Sequence, residues 1–281
     1  MKNWLLIFSA ALFCDLALLF WCLAPSTGLS VYFFDVGEGD SELISWGNGA
    51  KILVDGGRAG RLDSELGRAL GPAERRIDLV LLTHCQIDHL GGLKGVVERY
   101  VIGAFVYNGC DDDPPEWRLL KEELRRHGVS LVRLVAGDRM RIGEATIDIL
   151  SPLPDSQVAL DENERAITFL LKDSGFSFLF MSDAPPELEK KVAAEVGSAV
   201  DVLKVSHHGS RFSSTEVFLS KIRPKLSIIE VGANSYGHPT AEALVRLGVY
   251  GRVYRTDFSG TIRILAGSGR LSIFSSRPPP G

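Results

Sequence analysis

Ten residues decide the fold: Thr83-His84-Cys85-Gln86-Ile87-Asp88-His89-Leu90-Gly91-Gly92, directly after the apolar run Ile77–Leu82. A short apolar run before a polar loop predicts a buried strand. The strand would deliver the loop at its carboxyl end, where α/β folds keep their sites. Two imidazoles and a carboxylate between His84 and His89 suit zinc or manganese. The alternative interpretation is a polar turn whose histidines only cap the following helix.

Two later strands end in the same kind of residue. Asp183 follows the apolar run 178–181, and the pair His207 and His208 follows the run 202–205. Taken singly, Asp183 could cap the helix that starts at Pro186, and either histidine could be structural. Three strand ends with ligand-type residues favour a metal centre instead, because such a centre draws its ligands from separate parts of a chain.

The remaining pattern predicts two sheets with helices outside. Strands come first, then strands alternate with amphipathic helices, and strands return at the end, which favours an αββα sandwich over a simple doubly wound sheet. The predicted helices are Leu62–Leu70, Leu93–Arg99, Glu116–His127, Pro186–Val196, Ser214–Lys221 and Thr240–Leu247. The predicted strands are 31–34, 42–45, 51–54, 79–82, 104–107, 131–134, 146–150, 166–171, 177–181, 202–205, 226–230, 260–266 and 270–274.

The amino end predicts a membrane anchor. Trp4–Ala24 is almost wholly apolar, about long enough to span a bilayer, and carries one charge at Asp15. A cleaved signal peptide is the alternative, since Lys2 supplies a short basic region, but no A-x-A site follows. Lys2 before the segment favours a single pass with the domain outside the cytoplasm. The expected organisation is an anchor over residues 1–25, a domain over 26–275 and a disordered tail over 276–281.

Composition limits the classes of partner. The formal net charge is −4, so the chain has no basic field for non-specific binding of nucleic acid. A phosphodiester substrate then requires positive charge from a bound metal. The 4 cysteines form no CxxC pair and do not fix the redox compartment.

Several stretches together resemble one known family. They are the 34–41 segment FDVGEGDS, the 52–57 segment ILVDGG, the His84 loop, and the segments 178–183, 203–210, 236–239 and 253–257. The combination resembles the metallo-β-lactamase superfamily and, within it, the extracytoplasmic domain of ComEC-type DNA-uptake proteins. The resemblance runs from about Val31 to about Leu265. It implies a four-layer αββα metallo-β-lactamase sandwich, here preceded by one transmembrane helix.

The resemblance also implies a site with two cations, Zn²⁺ or Mn²⁺. His84 and either His207 or His208 would hold the first cation, while Asp88 and His89 would hold the second. Asp183 would bridge them. Asp35 and Asp55 would orient the ligands through hydrogen bonds.

Four residues are expected to act on the substrate. Asp88 would accept a proton, and His238 would contact substrate or protonate a leaving group. Lys204, His238 or Ser210 would neutralise an oxyanion. A turn histidine before Pro239 is the alternative for His238.

This sequence departs from the family at three positions. Gln86 stands at a position usually filled by His or Asp, and its neutral amide oxygen is a weaker ligand. The alternatives are low affinity for the first metal or a site with a single cation. Asn163 leaves the usual third histidine absent, and Glu38 stands where relatives carry Gln.

The expected activity is hydrolysis of a phosphodiester, with nucleic acid among the candidate substrates. The alternatives are hydrolysis of a non-phosphate ester or amide, and a catalytically impaired binding protein.

Overall fold

The computed structural model of the protein describes residues 28–110, 113–154 and 161–278. These residues contain fifteen strands and eight α-helices. The strands are β1 (Leu29–Phe33), β2 (Glu42–Trp46), β3 (Lys51–Val54), β4 (Arg76–Leu82), β5 (Val101–Tyr107), β6 (Leu131–Arg133), β7 (Arg139–Ile142), β8 (Ala145–Ser151), β9 (Thr168–Asp173), β10 (Phe176–Phe180), β11 (Val202–Lys204), β12 (Leu226–Ile229), β13 (Arg252–Arg255), β14 (Ile262–Gly267) and β15 (Arg270–Ser275). The helices are α1 (Leu62–Leu70), α2 (Ile87–Leu90), α3 (Leu93–Arg99), α4 (Pro115–Arg126), α5 (Pro186–Val196), α6 (Glu216–Ile222), α7 (Ala241–Tyr250) and α8 (Thr256–Ser259).

The strands form two mixed sheets. The first has the order β15-β14-β1-β2-β3-β4-β5-β6 and the second the order β13-β12-β11-β10-β9-β8-β7. Strands β3 to β6 run parallel in the first sheet, and β10 to β13 run parallel in the second. The remaining neighbours pair antiparallel. Because parallel neighbours end at the same edge, each sheet gathers several strand ends on one side, where a site can be assembled.

Apolar side chains pack in three layers. The central layer lies between the sheets and includes Val31, Phe33, Phe169, Phe180 and Ile228. A second layer packs the first sheet against α1, α3 and α4, and a third packs the second sheet against α5, α6 and α7. Two facing sheets with helices on both outer faces are the αββα sandwich that the sequence predicts.

The helices agree closely with the sequence prediction. Three of them, α1, α3 and α5, begin and end at the predicted residues. The other three predicted helices are shifted by one to three residues at their ends. The Thr240 side chain accepts a hydrogen bond from the Ala243 amide, as expected of a residue that caps α7.

The sequence prediction missed two strands, β7 and β13. Each is the outermost strand of the second sheet and pairs with one neighbour only. β7 reads Arg-Met-Arg-Ile and β13 reads Arg-Val-Tyr-Arg. Charged edge strands are common because they discourage pairing with other chains, and they lack the continuous apolar run of an inner strand.

The two ends of the chain bear on the predicted organisation. No helix within the described ranges is both long and apolar enough to span a bilayer. The predicted anchor, Trp4–Ala24, lies outside the described residues. At the other end, the Ser276 amide donates to the Thr261 carbonyl and the Arg277 amide donates to the Ser259 carbonyl, so the tail is bound to the domain at its start.

Candidate metal centre

Four strand ends deliver the candidate ligands and their neighbours. Asp55 follows β3, His84 follows β4, Asp183 closely follows β10 and His208 closely follows β11. The first two strands are parallel neighbours in one sheet, and the last two are parallel neighbours in the other. The candidate centre therefore lies where the carboxyl ends of these parallel strands, two from each sheet, come together.

Asp55 contacts His89 in the way the sequence comparison implied. Its carboxylate accepts hydrogen bonds from the Thr83 amide at 2.7 Å, the Thr83 hydroxyl at 2.6 Å and His89 Nδ1 at 2.7 Å. The last contact sets the His89 tautomer, with the proton on Nδ1 and Nε2 free to act as a ligand. Carboxylates commonly orient metal-binding histidines in this way.

His84 is held by two hydroxyl groups. Its Nδ1 lies 3.0 Å from Thr83 Oγ1 and 3.4 Å from Ser182 Oγ, and its side chain is completely buried. Ser182 also donates to the Thr83 hydroxyl at 2.9 Å, which links the end of β10 to the end of β4. The ring of His84 lies against the ring of His89, with 4.0 Å between the ring centroids.

The side chain of His208, rather than that of His207, points toward the other candidate ligands. His208 is buried, and its Nε2 lies 3.9 Å from oxygens of both Asp88 and Asp183. His207 is half-buried and packs against the ring of His238 at 5.7 Å. Both histidines have left-handed backbone angles, with φ near 50°, and their rings are perpendicular. His208 groups with Asp88 and His89, whereas the sequence comparison had paired it with His84.

Four buried atoms of this cluster have no hydrogen-bond partner among the residues that the structure describes: His84 Nε2, His89 Nε2, His208 Nε2 and Asp183 Oδ1. Buried polar atoms are nearly always satisfied, so such a concentration requires an explanation. His84, His89 and Asp183 offer ligand atoms within 4.8 Å of one another, and so do Asp88, His89 and His208. Imidazole and carboxylate groups are ligands for zinc and manganese. These residues therefore fit a divalent cation.

The electrostatics of the cluster also suit a cation. Burial alone would lower the pKa of His208, but the carboxylates of Asp183 and Asp40 outweigh it and raise the pKa to about 9. Burial, followed by the charge of His89, lowers the pKa of His84 to about 3. Burial acts to raise the pKa of Asp183, yet the charges of His208 and His89 bring it well below its usual value. Since histidine ligands must be deprotonated, a cation would compete with the proton on His208.

Gln86 contacts Asn163, another position at which the sequence departs from the family pattern. Its amide nitrogen donates to Asn163 Oδ1 at 2.8 Å, and both side chains are half-buried. Asn163 lies on a single-turn 3₁₀ segment, Glu162–Arg165, that precedes β9. Gln86 also lies close enough to His84 to act on the pKa of that histidine, so the two amides form a pair at the side of the cluster that His84 occupies.

The prediction that Lys204 neutralises an oxyanion is wrong. Its side chain is only 1% exposed and its ammonium is ion-paired with the Asp40 carboxylate. Burial acts to lower the pKa of Lys204, but Asp40 and the neighbouring Glu42 raise it above its ordinary value. A buried lysine that is already neutralised by a carboxylate cannot reach a substrate.

Asp40 is a site residue that the sequence interpretation missed. Its Oδ1 lies 3.4 Å from His208 Nδ1, and its Oδ2 lies 3.9 Å from His89 Nδ1. The sequence feature that could have indicated Asp40 is the glycine before it. Gly39 has φ 133°, and a Cβ at that position would lie 2.2 Å from the Asp88 carbonyl oxygen. A glycine at such a close approach brings Asp40 against the metal loop.

Asp35 lies apart from the candidate ligands, contrary to expectation. Its carboxylate pairs with Arg61 at 3.2 Å and with Arg277 near the carboxyl terminus. Its amide donates to the Thr261 hydroxyl at 3.0 Å. Asp35 therefore ties the amino-terminal loop to the end of the domain, and Asp40 and Asp55 contact the ligands instead.

His238 lies beside His207 in a partly exposed loop. Its amide donates to Asn234 Oδ1 at 3.0 Å, its ring packs on Tyr236 at 5.8 Å, and its Nδ1 has no partner among the described residues. Burial, joined by the charges of His207 and His208, lowers the pKa of His238. A neutral imidazole with a free nitrogen can exchange a hydrogen bond with a ligand.

A disulfide braces the metal loop. Cys85, between His84 and Gln86, is bonded to Cys110 in the loop after β5. The Cys110 amide donates to Asn108 Oδ1 at 3.0 Å, so the bond anchors the loop on an ordered turn. Sequence spacing alone did not predict this pairing, because the two cysteines lie 25 residues apart on different strand ends.

A comparison with known protein families identifies the superfamily of the domain that contains this centre. A family model described as the metallo-beta-lactamase superfamily matches residues 35–229, which include every candidate ligand. The chain belongs to this superfamily. Its departures at Gln86 and Asn163 are therefore departures within a metallo-β-lactamase domain.

Two curated relatives are competence and recombination proteins by name. The chain is 29% identical over 271 residues to ComE operon protein 3 of Bacillus subtilis, covering 89% of the chain and 34% of the relative. It is 31% identical over 277 residues to Recombination protein 2 of Haemophilus influenzae, covering 96% of the chain and 33% of the relative. The metallo-β-lactamase chain thus spans about a third of the length of these relatives.

Solved structures share the fold at low identity. The metallo-beta-lactamase fold protein YhfI from Bacillus subtilis matches with a TM-score of 0.56 and 14% identity, over 88% of this chain and 99% of that one. A diphosphatase from the PhnP family matches with a TM-score of 0.52 and 14% identity, over 84% of this chain and 98% of that one. Both likenesses support the metallo-β-lactamase sandwich.

Proposed function

We propose that this chain is a metal-dependent phosphodiesterase of the metallo-β-lactamase superfamily. One observation carries the proposal: buried nitrogens of His84, His89 and His208 converge with the Asp183 carboxylate and have no hydrogen-bond partner within the described ranges. Buried polar groups without a partner cost free energy, and a bound cation would satisfy these four together. Zn²⁺ and Mn²⁺ match the mixed imidazole and carboxylate donors.

The residues that would hold a cation are His84, Asp88, His89, Asp183 and His208. A divalent cation held there would lower the pKa of a water molecule and would polarise a phosphoryl oxygen. The chain keeps its ligands ready for binding. Asp55 holds His89 by its Nδ1, and the Glu230 carbonyl oxygen accepts from His208 Nδ1 at 2.9 Å.

Two residues of the site, the candidate ligand Asp88 and the neighbouring His238, are exposed enough to reach a substrate. Asp88 is half-buried, so its carboxylate can accept a proton from an attacking water. The lowered pKa of His238 leaves that ring neutral near pH 7. A neutral ring favours hydrogen bonding to the substrate over protonation of a leaving group.

A phosphodiester, with nucleic acid as the leading candidate, is supported by two considerations. The curated relatives are named as competence and recombination proteins. In addition, the sandwich is shared with a protein described as a diphosphatase. The chain itself is acidic, so attraction of an anionic substrate would depend on the cation.

We further propose that the domain works at the membrane, outside the cytoplasm. The Cys85–Cys110 disulfide supports this location, because disulfides persist in oxidising compartments. The apolar stretch Trp4–Ala24 would provide the anchor.

Hydrolysis assays on the full-length chain test the activity. The purified protein is stripped of metal, reloaded with Mn²⁺ or Zn²⁺, and assayed on bis-p-nitrophenyl phosphate, p-nitrophenyl acetate and a chromogenic lactam. An Asp183→Asn variant serves as the matched control, since it keeps the shape of a side chain that contacts two histidines.

The proposal expects cation-dependent turnover of the phosphodiester that the Asp183→Asn variant loses. Faster turnover of the acetate or the lactam would favour the other hydrolase classes. A protein that binds neither cation, or that binds one and hydrolyses none of the three compounds, would overturn the proposed function.

A further inference from the structure

We propose that this centre binds one cation tightly rather than two, and that the paired amides of Gln86 and Asn163 account for the difference. The inference rests on the proposed function, because it concerns the same cation. It departs from the two cations that the family resemblance implied and adopts the single-cation alternative that Gln86 left open. The inference is drawn from the number of metal-donor atoms on each side of the cluster.

One side of the cluster has a full set of donors. Asp183 Oδ2 lies 3.6 Å from His89 Nε2 and 3.9 Å from His208 Nε2, and His208 Nε2 lies 3.9 Å from Asp88 Oδ2. These four groups are two imidazoles and two carboxylates, and the structure holds both imidazoles by their Nδ1 atoms. Four such donors meet the needs of a zinc or manganese ion.

The other side has one donor of its own. His84 groups with His89 and Asp183, and both of those residues already belong to the first set. A second cation would therefore have His84 and the shared Asp183 carboxylate as ligands. Any further ligand atom would have to come from Gln86 or Asn163.

The amide pair contributes little. Gln86 Nε2 donates to Asn163 Oδ1 at 2.8 Å, so the Asn163 oxygen is engaged as an acceptor. An amide nitrogen has no free lone pair for a metal, which leaves the neutral Gln86 oxygen as the remaining donor. Neutral amide oxygens are ligands of hard cations such as Ca²⁺ and bind zinc less well than imidazole does.

The adjacent acidic residue, Glu162, belongs to none of the groups of ligand atoms found among the described residues. Glu162 accepts a hydrogen bond from the Cys85 amide at 3.1 Å and pairs with Arg165 at 3.5 Å. Its carboxylate therefore braces the backbone of the metal loop. The His84 side remains short of donors.

Metal counting on the full-length chain tests the inference. Metal-free protein is loaded with excess Mn²⁺ and desalted, and manganese per chain is measured by mass spectrometry. Electron paramagnetic resonance then distinguishes an isolated ion from a coupled pair. The test variant is Gln86→His/Asn163→His, which places two imidazoles at the amide pair. The matched control is Gln86→Ala/Asn163→Ala, which breaks the pair and adds no donor.

The inference expects one manganese per chain with the spectrum of an isolated ion in the wild type and in the alanine control. The histidine variant should rise toward two per chain and show coupling. Two coupled ions in the wild type, or a folded histidine variant that stays at one, would overturn it. If the histidine variant fails to fold, the wild-type count and spectrum decide. A wild type that binds no manganese or zinc would refute the proposed function itself, which is a different result from a count of two.

Discussion

His208 Nδ1 donates to the main-chain oxygen of Glu230 at 2.9 Å, and this contact leaves His208 Nε2 facing Asp183. The acceptor belongs to the backbone just after β12, so no side-chain substitution at Glu230 removes it. His89 differs, because its Nδ1 is held by the Asp55 side chain. The two imidazoles are therefore oriented by different means, and only the second can be released by a single substitution.

Asp55→Asn is expected to weaken cation binding by about 10- to 100-fold, the usual loss when a carboxylate that orients a metal-binding histidine is replaced. The asparagine keeps the shape of the side chain but loses the charge that holds the proton on His89 Nδ1. Affinity would be measured by competition with a chromogenic chelator. Asp35→Asn makes the same chemical change where the carboxylate pairs with arginines, and it should leave affinity unchanged. Equal losses in the two variants would show that His89 orientation is not the cause.

Lys204→Met is expected to destabilise the domain by about 3 to 5 kcal/mol, because it leaves the buried charge of Asp40 without its partner. Both side chains are 1% exposed. The free energy of unfolding would be measured by urea titration. Lys225→Met is the matched control: Lys225 also pairs with an aspartate, Asp201, but its side chain is 74% exposed. Its loss should stay within about 1 kcal/mol. Similar losses at both positions would mean that Asp40 is not stabilised by Lys204.

The sequence predicted the sandwich because its inner strands and amphipathic helices carry strong periodic patterns. It missed β7 and β13, since a four-residue edge strand that contains two arginines has no apolar run to detect. It placed Asp183 and the His84 loop correctly at strand ends, because strand ends follow directly from the pattern.

The finer features of the site depend on tertiary structure. The choice of His208 over His207 depends on two left-handed residues in succession. The ion pair of Lys204 joins residues 164 positions apart, so no local pattern could show it. The Gln86–Asn163 pair likewise spans 77 positions.

Glu42→Gln is expected to change how stability depends on pH. Burial, and then the charge of Asp40, raises the pKa of Glu42 from 4.5 to about 8. The folded protein therefore keeps a proton that the unfolded chain releases, so stability is fully present below about pH 4.5 and is lost as pH rises through about 8. The variant lacks this proton and should lose less stability over that range. Urea unfolding at a series of pH values would measure the slope. Glu116→Gln, at an exposed position, should keep the wild-type slope, and an unchanged slope in Glu42→Gln would contradict the prediction.

Reduction of the Cys85–Cys110 bond is expected to destabilise the domain by about 3 kcal/mol, the typical effect of opening a loop of this length. Because Cys85 lies between His84 and Gln86, the same change should speed loss of the cation. The variant Cys85→Ser/Cys110→Ser would be compared with Cys14→Ser/Cys22→Ser, which changes two cysteines and keeps the bond. Urea unfolding would give the stability, and cation release into excess chelator would give the rate. Alkylation of the unreduced, denatured wild type should leave Cys85 and Cys110 unmodified. Labelling of both, or equal stability of the two serine variants, would refute the role assigned to the disulfide.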